Sequence, residues 1–489
     1  MRGAAGGDRD WHVSRNPAAP GEQLGAVELT GPAEAERAVR NAVSAFPMWR
    51  DTPPERRIEL CLRAAGLMLA RRHELAAWQV LEAGKNWREA DADVAEAIDL
   101  LRYYAAQMAR LAGWRRTISF PGERNETRYE ARGVALVIAP WNFPLAILTG
   151  MSAAALAAGN CVIMKPALPA LLVARALHGI LLEAGFPEEA CQWLPGRGAQ
   201  IGDLLVGHPE VSIIAFTGSR EVGLSILERA HARSPRQTHV KQVVCEMGGK
   251  NAIVVDDDAD LDEAVSHTLY SAFGYQGQKC SAASRLIAVG TIHDRLVERL
   301  AAAVDSFPLG PPEDPQYPFG PMISAAARQK ALDYAAIGKR EGTLYYQGTA
   351  PAAEGYYVAP AIFTGIRPQH RLAREEIFAP VLSVLRAERF EDALELALDS
   401  EYALTGGVCS RLPEHLALAK TRFRVGNLYL NRRITGALVA AQPFGGVKLS
   451  GTGVQAGGAD YLRQFLWSRM VSENTLRHGF VPPHRPAGQ

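Results

Sequence analysis

Cysteine is scarce in this chain of 489 residues: there are six, Cys61, Cys161, Cys191, Cys245, Cys280 and Cys409. No two form a CxxC pair and none stands with histidine at zinc-ligand spacing. A disulfide scaffold and a structural zinc module are thereby excluded, and reduced thiols with no bound metal are expected. Net charge is equally scarce. Lys and Arg number 53 against 52 Asp and Glu, a formal charge of +1, so no basic surplus exists to hold nucleic acid or an anionic membrane surface. Long hydrophobic runs are missing too. The longest apolar stretch, "LAILTGMSAAALAAG" at 145–159, is too short for a bilayer and is interrupted by Gly, Ser and Thr. The opening "MRGAAGGDRDWHV" has no apolar core of a signal peptide. No tandem repeat or low-complexity tract is present. These absences predict a soluble, cytoplasmic protein.

What is present is ordinary in kind and large in amount. An apolar fraction of 48% with 21% charged residues is that of a globular protein, and 489 residues exceed what one core organises, so two or three domains are expected. Residues 33–112 read as helices. In "PAEAERAVRNAVSAFPMW" and "PERRIELCLRAAGLMLARRHELAAWQVLEAG" apolar positions recur every three or four residues, with Pro near the starts and Gly after the second. A third helix lies in "ADVAEAIDLLRYYAAQMARLAG". From 133 the texture changes to short β-rich runs separated by helices: "GVALVIAP", "NCVIMKP", "VSIIAFTG" and "NAIVVDD". That alternation predicts a parallel sheet covered on both faces. It restarts after Asp256 and predicts a second α/β domain over 247–440. The mixed polar and apolar "TISFPGERNETRYEARG" at 117–133 reads as a hairpin outside both cores, and the terminal "PPHRPAGQ" as disordered.

Several strand ends carry residues with chemical potential. "VSIIAFTGSREVGLSILERA" (211–230) runs a strand into Thr-Gly-Ser and a helix, which places backbone N–H groups where a phosphate can sit; an ordinary βα turn is the equal alternative. "LPGRGAQIG" (194–202) has the glycine spacing GxGxxxG and carries little alone. "VIMKP" ends a strand with Lys165, placed to bond ribose hydroxyls or simply solvated. In "IAPWNFPL" two prolines stiffen the backbone around Asn142, a donor suited to a developing oxyanion, or else a turn asparagine. "CEMGGKN" offers Glu246 at a strand end, where a raised pKa would suit a base acting on water, though surface glutamates are commoner. Finally, "GYQGQKCSA" sets Cys280 in a loop between a helix (261–273) and a strand (284–289). Structural cysteines sit among apolar neighbours, as Cys161 does in "NCVIM"; a cysteine amid Gly, Gln, Lys and Ser is better placed to react. Local sequence leaves both roles open for Cys280.

Taken in order, PWNFP, KP, LPGxG, FTGS, ExGGK, GQKCS, EEIFAP and PFGG resemble the aldehyde dehydrogenase superfamily over nearly the whole chain. No one of these motifs is specific; their succession is. Within it the sequence is similar to the branch that oxidises L-glutamate γ-semialdehyde, on "EADADVAEAID" (89–99), "FGYQGQKCSA", "NRRITGALVAAQPFGG" (431–446), "AGGADYL" (456–462) and "ENTLRHGF" (473–480). The fold this implies is α/β and aldehyde-dehydrogenase-like, with two doubly wound parallel-sheet domains and a small β oligomerisation arm. Residues 1–116 and 134–246 would bind NAD(P), 247–440 would be the catalytic domain, 117–133 with 465–489 the arm, and 441–464 a return to the cofactor domain.

The same resemblance assigns roles. Cys280 would be the thiolate nucleophile, Asn142 with the Cys280 N–H the oxyanion hole, and Glu246 the activator of the hydrolytic water. Lys165 would contact the adenosine ribose, Gly218 and Ser219 the pyrophosphate, and Glu376 the nicotinamide ribose, with Phe378, Pro140 and Trp141 at the cofactor. Ser281, Gly436 and Ala437 would hold the substrate α-carboxylate, Phe143 and Phe444 would line the aldehyde tunnel, and Lys279 would belong to the substrate site. Departures from the family pattern stand at Leu168, where a ribose-binding glutamate is frequent, at Ala379 in "EEIFAP", and at Ala283, where a second cysteine sometimes occurs. The expected cofactor is NAD, with NADP the alternative. The expected partners are a small aldehyde, a second copy of the chain in a homodimer or multiple of one, and a proline dehydrogenase. Alternatives are oxidation of another semialdehyde or an aliphatic aldehyde, and a non-catalytic member. A non-catalytic member would have shed Cys280, Glu246 or Asn142. A coenzyme-A-acylating enzyme would have no need of Glu246.

Overall fold

A computed structural model describes residues 10–352 and 354–476. The chain begins with an antiparallel hairpin, β1 (Trp11–Asn16) and β2 (Ala19–Glu28). Sequence pattern gives no sign of it, because Pro17, Pro20, Gly21 and Gly25 interrupt any alternation. Four helices come after it: α1 (Pro32–Asp51), α2 (Pro54–Ala70), α3 (Arg72–Ala83) and α4 (Trp87–Leu111). They fall where the periodicity of 33–112 places them. Proline at the first position of α1 and α2 costs no hydrogen bond there, and Gly84, at φ 65°, closes α3 in the left-handed conformation.

Two short strands come next, β3 (Arg115–Arg116) and β4 (Glu123–Ala131). The first parallel sheet is then built from β5 (Val134–Ile138), α5 (Ala146–Ala157), β6 (Cys161–Lys165), α6 (Leu171–Ala184), β7 (Cys191–Trp193), the short α7 (Asp203–Gly207), β8 (Val211–Thr217), α8 (Arg220–His231) and β9 (Gln242–Glu246). Its spatial order is β7-β6-β5-β8-β9, every pair parallel. The strands are buried on both faces, which is why they read as unbroken apolar runs. The sheet order reverses between β5 and β8, so the crevice beyond their carboxyl ends is the switch point where α/β folds receive ligands.

The second sheet takes β10 (Asn251–Val255), β11 (Ala283–Val289), β12 (Thr343–Gln347), β13 (Ala361–Thr364), β14 (Val381–Ala387), β16 (Thr405–Cys409) and β17 (Asn427–Leu430), with β15 (Tyr402–Ala403) outside it. Its order is β12-β13-β14-β11-β10-β16-β17. This sheet is mixed rather than wholly parallel, since the edge strand β12 runs antiparallel to β13. Between β10 and β11 lies α9 (Leu261–Phe273), capped by the Asp260 carboxylate on the N–H groups of Asp262 and Glu263.

After β18 (Val447–Lys448), which pairs with β15, the chain packs Tyr461, Leu462, Phe465 and Leu466 into the core of the first sheet. It leaves as β19 (Leu466–Asn474), which pairs with β4 from Leu466↔Ala131 to Asn474↔Glu123. The segment read as a hairpin is therefore the centre of a three-stranded sheet, β19-β4-β3, whose main partner strand is more than 330 residues away. Residues 477–489, which include most of the terminal stretch assigned to the arm and the tail read as disordered, lie outside the described residues, as do 1–9.

Candidate active site

The two sheets meet across one cleft: Thr217 and Glu246 at the ends of β8 and β9 line the same cavity as Cys280 and Ser281 before β11 and Gly436 after β17. The cleft is thus walled by the carboxyl ends of one parallel sheet and the amino ends of the other. Trp141 and Asn142 come just after β5, Lys165 ends β6, Gly218 and Ser219 come just after β8, and Glu246 ends β9. From the opposite wall, the loop that carries Cys280 leads into β11.

That loop is held in a conformation few sequences adopt. Tyr275, Gln276 and Gly277 have φ of 49°, 54° and 67° in succession, reversing the chain directly after α9. Glycine is required at 277 by space as well as by φ: an added Cβ would fall 2.5 Å from the Ala379 carbonyl oxygen. Side chains from three directions fix the stretch from Gln278 to Ala282. Asn251 donates to the carbonyls of Cys280 (2.7 Å) and Ala282 (2.9 Å) and accepts from the Thr405 N–H. Gln278 accepts from the Ile323 N–H at 2.9 Å. Lys279 pairs with Glu89 at 2.6 Å. Of the six cysteines, Cys280 alone is not fully buried. Burial, reinforced by the Glu376 and Glu246 carboxylates, pushes its thiol up to about 12, and a bond from the Ser281 N–H works in the opposite direction.

Glu246 is 8% exposed. One carboxylate oxygen accepts from the Gly446 N–H at 3.0 Å, and the other has no partner. Burial pushes its pKa well above the usual carboxylate range. Gly445 and Gly451 crowd it so closely that an added Cβ would lie 3.1 Å and 2.9 Å from its oxygens. Cys280 and Glu246 open onto one cavity together with Phe143, Phe444, Ser281, Gly436 and Ala437. Gly436 has φ 73°, a conformation that favours glycine over any side chain. Glu96 on α4 also lines this cavity, and burial and the neighbouring Asp93 push its carboxyl up to about 8.

Asn142 and Lys279 are not among the residues that line the cavity. The Asn142 amide donates to the Gln278 carbonyl at 3.0 Å, so it is tied to the loop bearing Cys280 and keeps a second N–H. Lys279 pairs with Glu89 at 2.6 Å and is not among the residues that line the cavity.

The remaining candidates cluster at the mouth of the switch-point crevice, and their chemistry fits a dinucleotide. Ser219 caps α8, a twelve-residue helix that starts just after β8, by accepting from the Val222 N–H; the N-terminus of such a helix has the chemistry to receive a phosphate. Lys165 is 8% exposed at the crevice, and burial holds its ammonium below the usual lysine range. Glu376 accepts from the Gly249 N–H at 2.9 Å and presses on Gly248, where an added Cβ would sit 2.1 Å from a carboxylate oxygen. Phe378 has φ 60° and meets Trp141 edge to face at 5.8 Å, next to Pro140. Leu168 packs instead with Val27, Leu29 and Leu171 beneath the N-terminal hairpin, which explains an apolar residue there.

Asn251, Gln278, Gly446 and Glu96 do not stand out in the sequence as site residues. Asn251 stands at the start of an apolar strand, while Gln278, Gly446 and Glu96 lie within the motifs GQKCS, PFGG and EADADVAEAID without being singled out by them.

The aldehyde dehydrogenase family profile matches residues 6–471. A relative named 1-pyrroline-5-carboxylate dehydrogenase from Bacillus pumilus is 45% identical over 465 residues, 95% of this chain and 90% of the relative. The crystal structure of 1-pyrroline-5-carboxylate dehydrogenase from Thermus with bound NAD superposes with a TM-score of 0.93 at 49% identity, covering 95% of this chain and 90% of that one. Proline utilization A (PutA) from Bdellovibrio bacteriovorus superposes with a TM-score of 0.95 at 45% identity, covering 97% of this chain but 49% of that one.

Proposed function

Because the chain belongs to the aldehyde dehydrogenase family, we propose that the cleft between its sheets is the site where L-glutamate γ-semialdehyde, formed by ring opening of pyrroline-5-carboxylate, is oxidised to L-glutamate. This is the second step of proline catabolism. NAD is the oxidant, and its nicotinamide accepts the hydride. The observation that carries the site assignment is the convergence of one accessible thiol, one orphaned high-pKa carboxylate and three potential carboxylate donors on a single cavity.

Cys280 attacks the aldehyde carbon, and the oxyanion so formed is held by its own N–H and the free N–H of Asn142. Hydride loss leaves a thioester. Glu246 then takes a proton from water through its unpartnered oxygen, and the glutamate product leaves. The raised pKa suits it to this work, since a carboxylate that binds protons more tightly is a stronger base. Lys165, Ser219 and Glu376 hold the ribose and pyrophosphate groups of NAD. Phe143 and Phe444 shape the tunnel, while Ser281 with the N–H groups of Gly436 and Ala437 holds the α-carboxylate.

NADH formation from pyrroline-5-carboxylate is expected to exceed that from propanal or succinate semialdehyde in kcat/KM; equal values would overturn the substrate assignment. Ser281→Ala is expected to lower kcat/KM for pyrroline-5-carboxylate by about 1.5–3 kcal/mol, the loss of a hydrogen bond to a charged group. Propanal oxidation, with no carboxylate to hold, should stay nearly unchanged. Equal losses on both would place Ser281 in service of the nucleophile.

The chain acts as a homodimer or a multiple of one. The arm sheet ends on β19, a nine-residue edge strand, and carries Ile118, Phe120, Met470 and Leu476 at 84%, 68%, 60% and 56% exposure. An open edge with apolar side chains is covered in a stable protein, and a two-fold copy is the simplest cover. Light scattering of an active, stable monomer would contradict this. Association with a proline dehydrogenase is supported by the match of this chain to about half of the Bdellovibrio proline utilization A chain and to 46% of a second solved chain named bifunctional proline utilization A. The cytoplasm is the compartment consistent with this role, and among the described residues no helix is long and apolar enough to cross a membrane.

A further inference from the structure

Lys85 and Asp93 are both 0% exposed and pair at 2.8 Å, yet neither lines the cavity and no step of the proposed mechanism uses them. A buried ion pair is weak as a source of stability, because desolvation offsets most of its attraction. Its neighbours suggest another use. The second Asp93 oxygen accepts from the Ala146 N–H at 2.8 Å, the first residue of α5, where a negative charge also meets the positive end of the helix. The Lys85 ammonium lies 4.2 Å above the Phe143 ring and 5.4 Å from the Tyr275 ring. Tyr275 in turn donates to the Ala83 carbonyl at 2.7 Å.

One ion pair from the α3–α4 region thus touches two segments far apart in sequence. It grips the far end of the turn that bears Asn142 and Phe143, and it packs on the first left-handed residue of the loop that leads to Cys280. Gly84 makes this reach possible. Its left-handed backbone turns the chain between α3 and α4 in a space where an added Cβ would fall 2.9 Å from Pro321 and 3.0 Å from Pro17, and the next side chain is sent inward.

We propose that Lys85 and Asp93 are positioning residues for thiol addition: the pair sets the distance between the turn bearing Asn142 and Phe143 and the nucleophile loop. The inference rests on the reading of Cys280 as the acylated residue. A shift of about 1 Å in such a constellation costs about a hundredfold in rate. Acyl transfer to water passes through a second oxyanion at the same carbon and so leans on Asn142 as well, whereas NAD is held by residues the pair does not touch.

The test uses K85M/D93N, which removes both charges and leaves no unpaired ion, and D93N alone, which keeps a carbonyl oxygen for the Ala146 N–H. The NADH burst with pyrroline-5-carboxylate, the affinity for NAD and the rate of thioester hydrolysis are measured in the full-length enzyme. The expected result is a burst slowed by about tenfold to a hundredfold, with thioester hydrolysis slowed by no more than the burst and NAD affinity unchanged. A wild-type burst rate in either folded variant would overturn the proposal, as would a loss of NAD affinity as large as the loss of burst rate or failure of both variants to fold. Absence of a burst from the wild-type enzyme would instead count against the substrate reading.

Discussion

Cys280→Ala is expected to abolish turnover, leaving less than about a thousandth of wild-type kcat, because a covalent step has no cheap substitute. The variant should still fold and bind NAD. The loop around position 280 is held by Asn251, Gln278 and Lys279, none of which bonds to the thiol; Lys165 and Ser219 lie on the other wall, and Glu376 is bonded to the Gly249 N–H rather than to the thiol. The remaining cysteines are the internal control. Cys61, Cys161, Cys191, Cys245 and Cys409 are buried, and burial raises every one of their thiols. Replacing each with alanine should leave the chemistry intact. Residual turnover above that level in Cys280→Ala, measured as NADH formation, would remove the thiol from the mechanism.

Glu246→Gln is expected to separate the two halves of the reaction. Acylation and hydride transfer need the thiolate and should yield one equivalent of NADH in a burst. Thioester hydrolysis needs the base, and the steady-state rate should fall by about a hundredfold to ten-thousandfold. The pH dependence has a definite sign. Both working groups act deprotonated and both have raised pKa values, so wild-type activity should climb from neutral into alkaline pH. The Glu246 charge is one of the causes that push the Cys280 thiol up. Removing it should therefore shift the burst rate of Glu246→Gln toward lower pH. A variant with neither burst nor pH shift would make Glu246 a structural residue.

Much of this is legible in the sequence wherever the determinant is local. Helix α9 and strand β11 stand within a residue of their expected bounds, since periodicity and an aspartate cap mark the first and β-branched residues the second. The polar setting of Cys280 distinguishes it from Cys161 in sequence, and the same contrast appears as partial against full burial. The contacts that assemble the site are not local. The antiparallel edge of the second sheet, the pairing of β4 with β19 and the bond from Gly446 to Glu246 join residues 200 or more positions apart in two of these three cases. Lys279 shows the same limit. Its place beside the nucleophile suggests the substrate site, but its pairing with Glu89, from a helix 190 residues earlier, has no trace in the local sequence. Strand order and ion pairing of this kind depend on which surfaces meet, and no periodicity encodes that.

The most direct test of the mechanism is to trap the acyl enzyme. Glu246→Gln is mixed with NAD and pyrroline-5-carboxylate, quenched in acid during the burst, digested and mapped by mass spectrometry. The expected result is a glutamyl group in thioester linkage on the peptide carrying Cys280, in amount equal to the NADH formed. An NADH burst with Cys280 unmodified, or with the glutamyl group on another residue, would contradict the mechanism proposed for this chain.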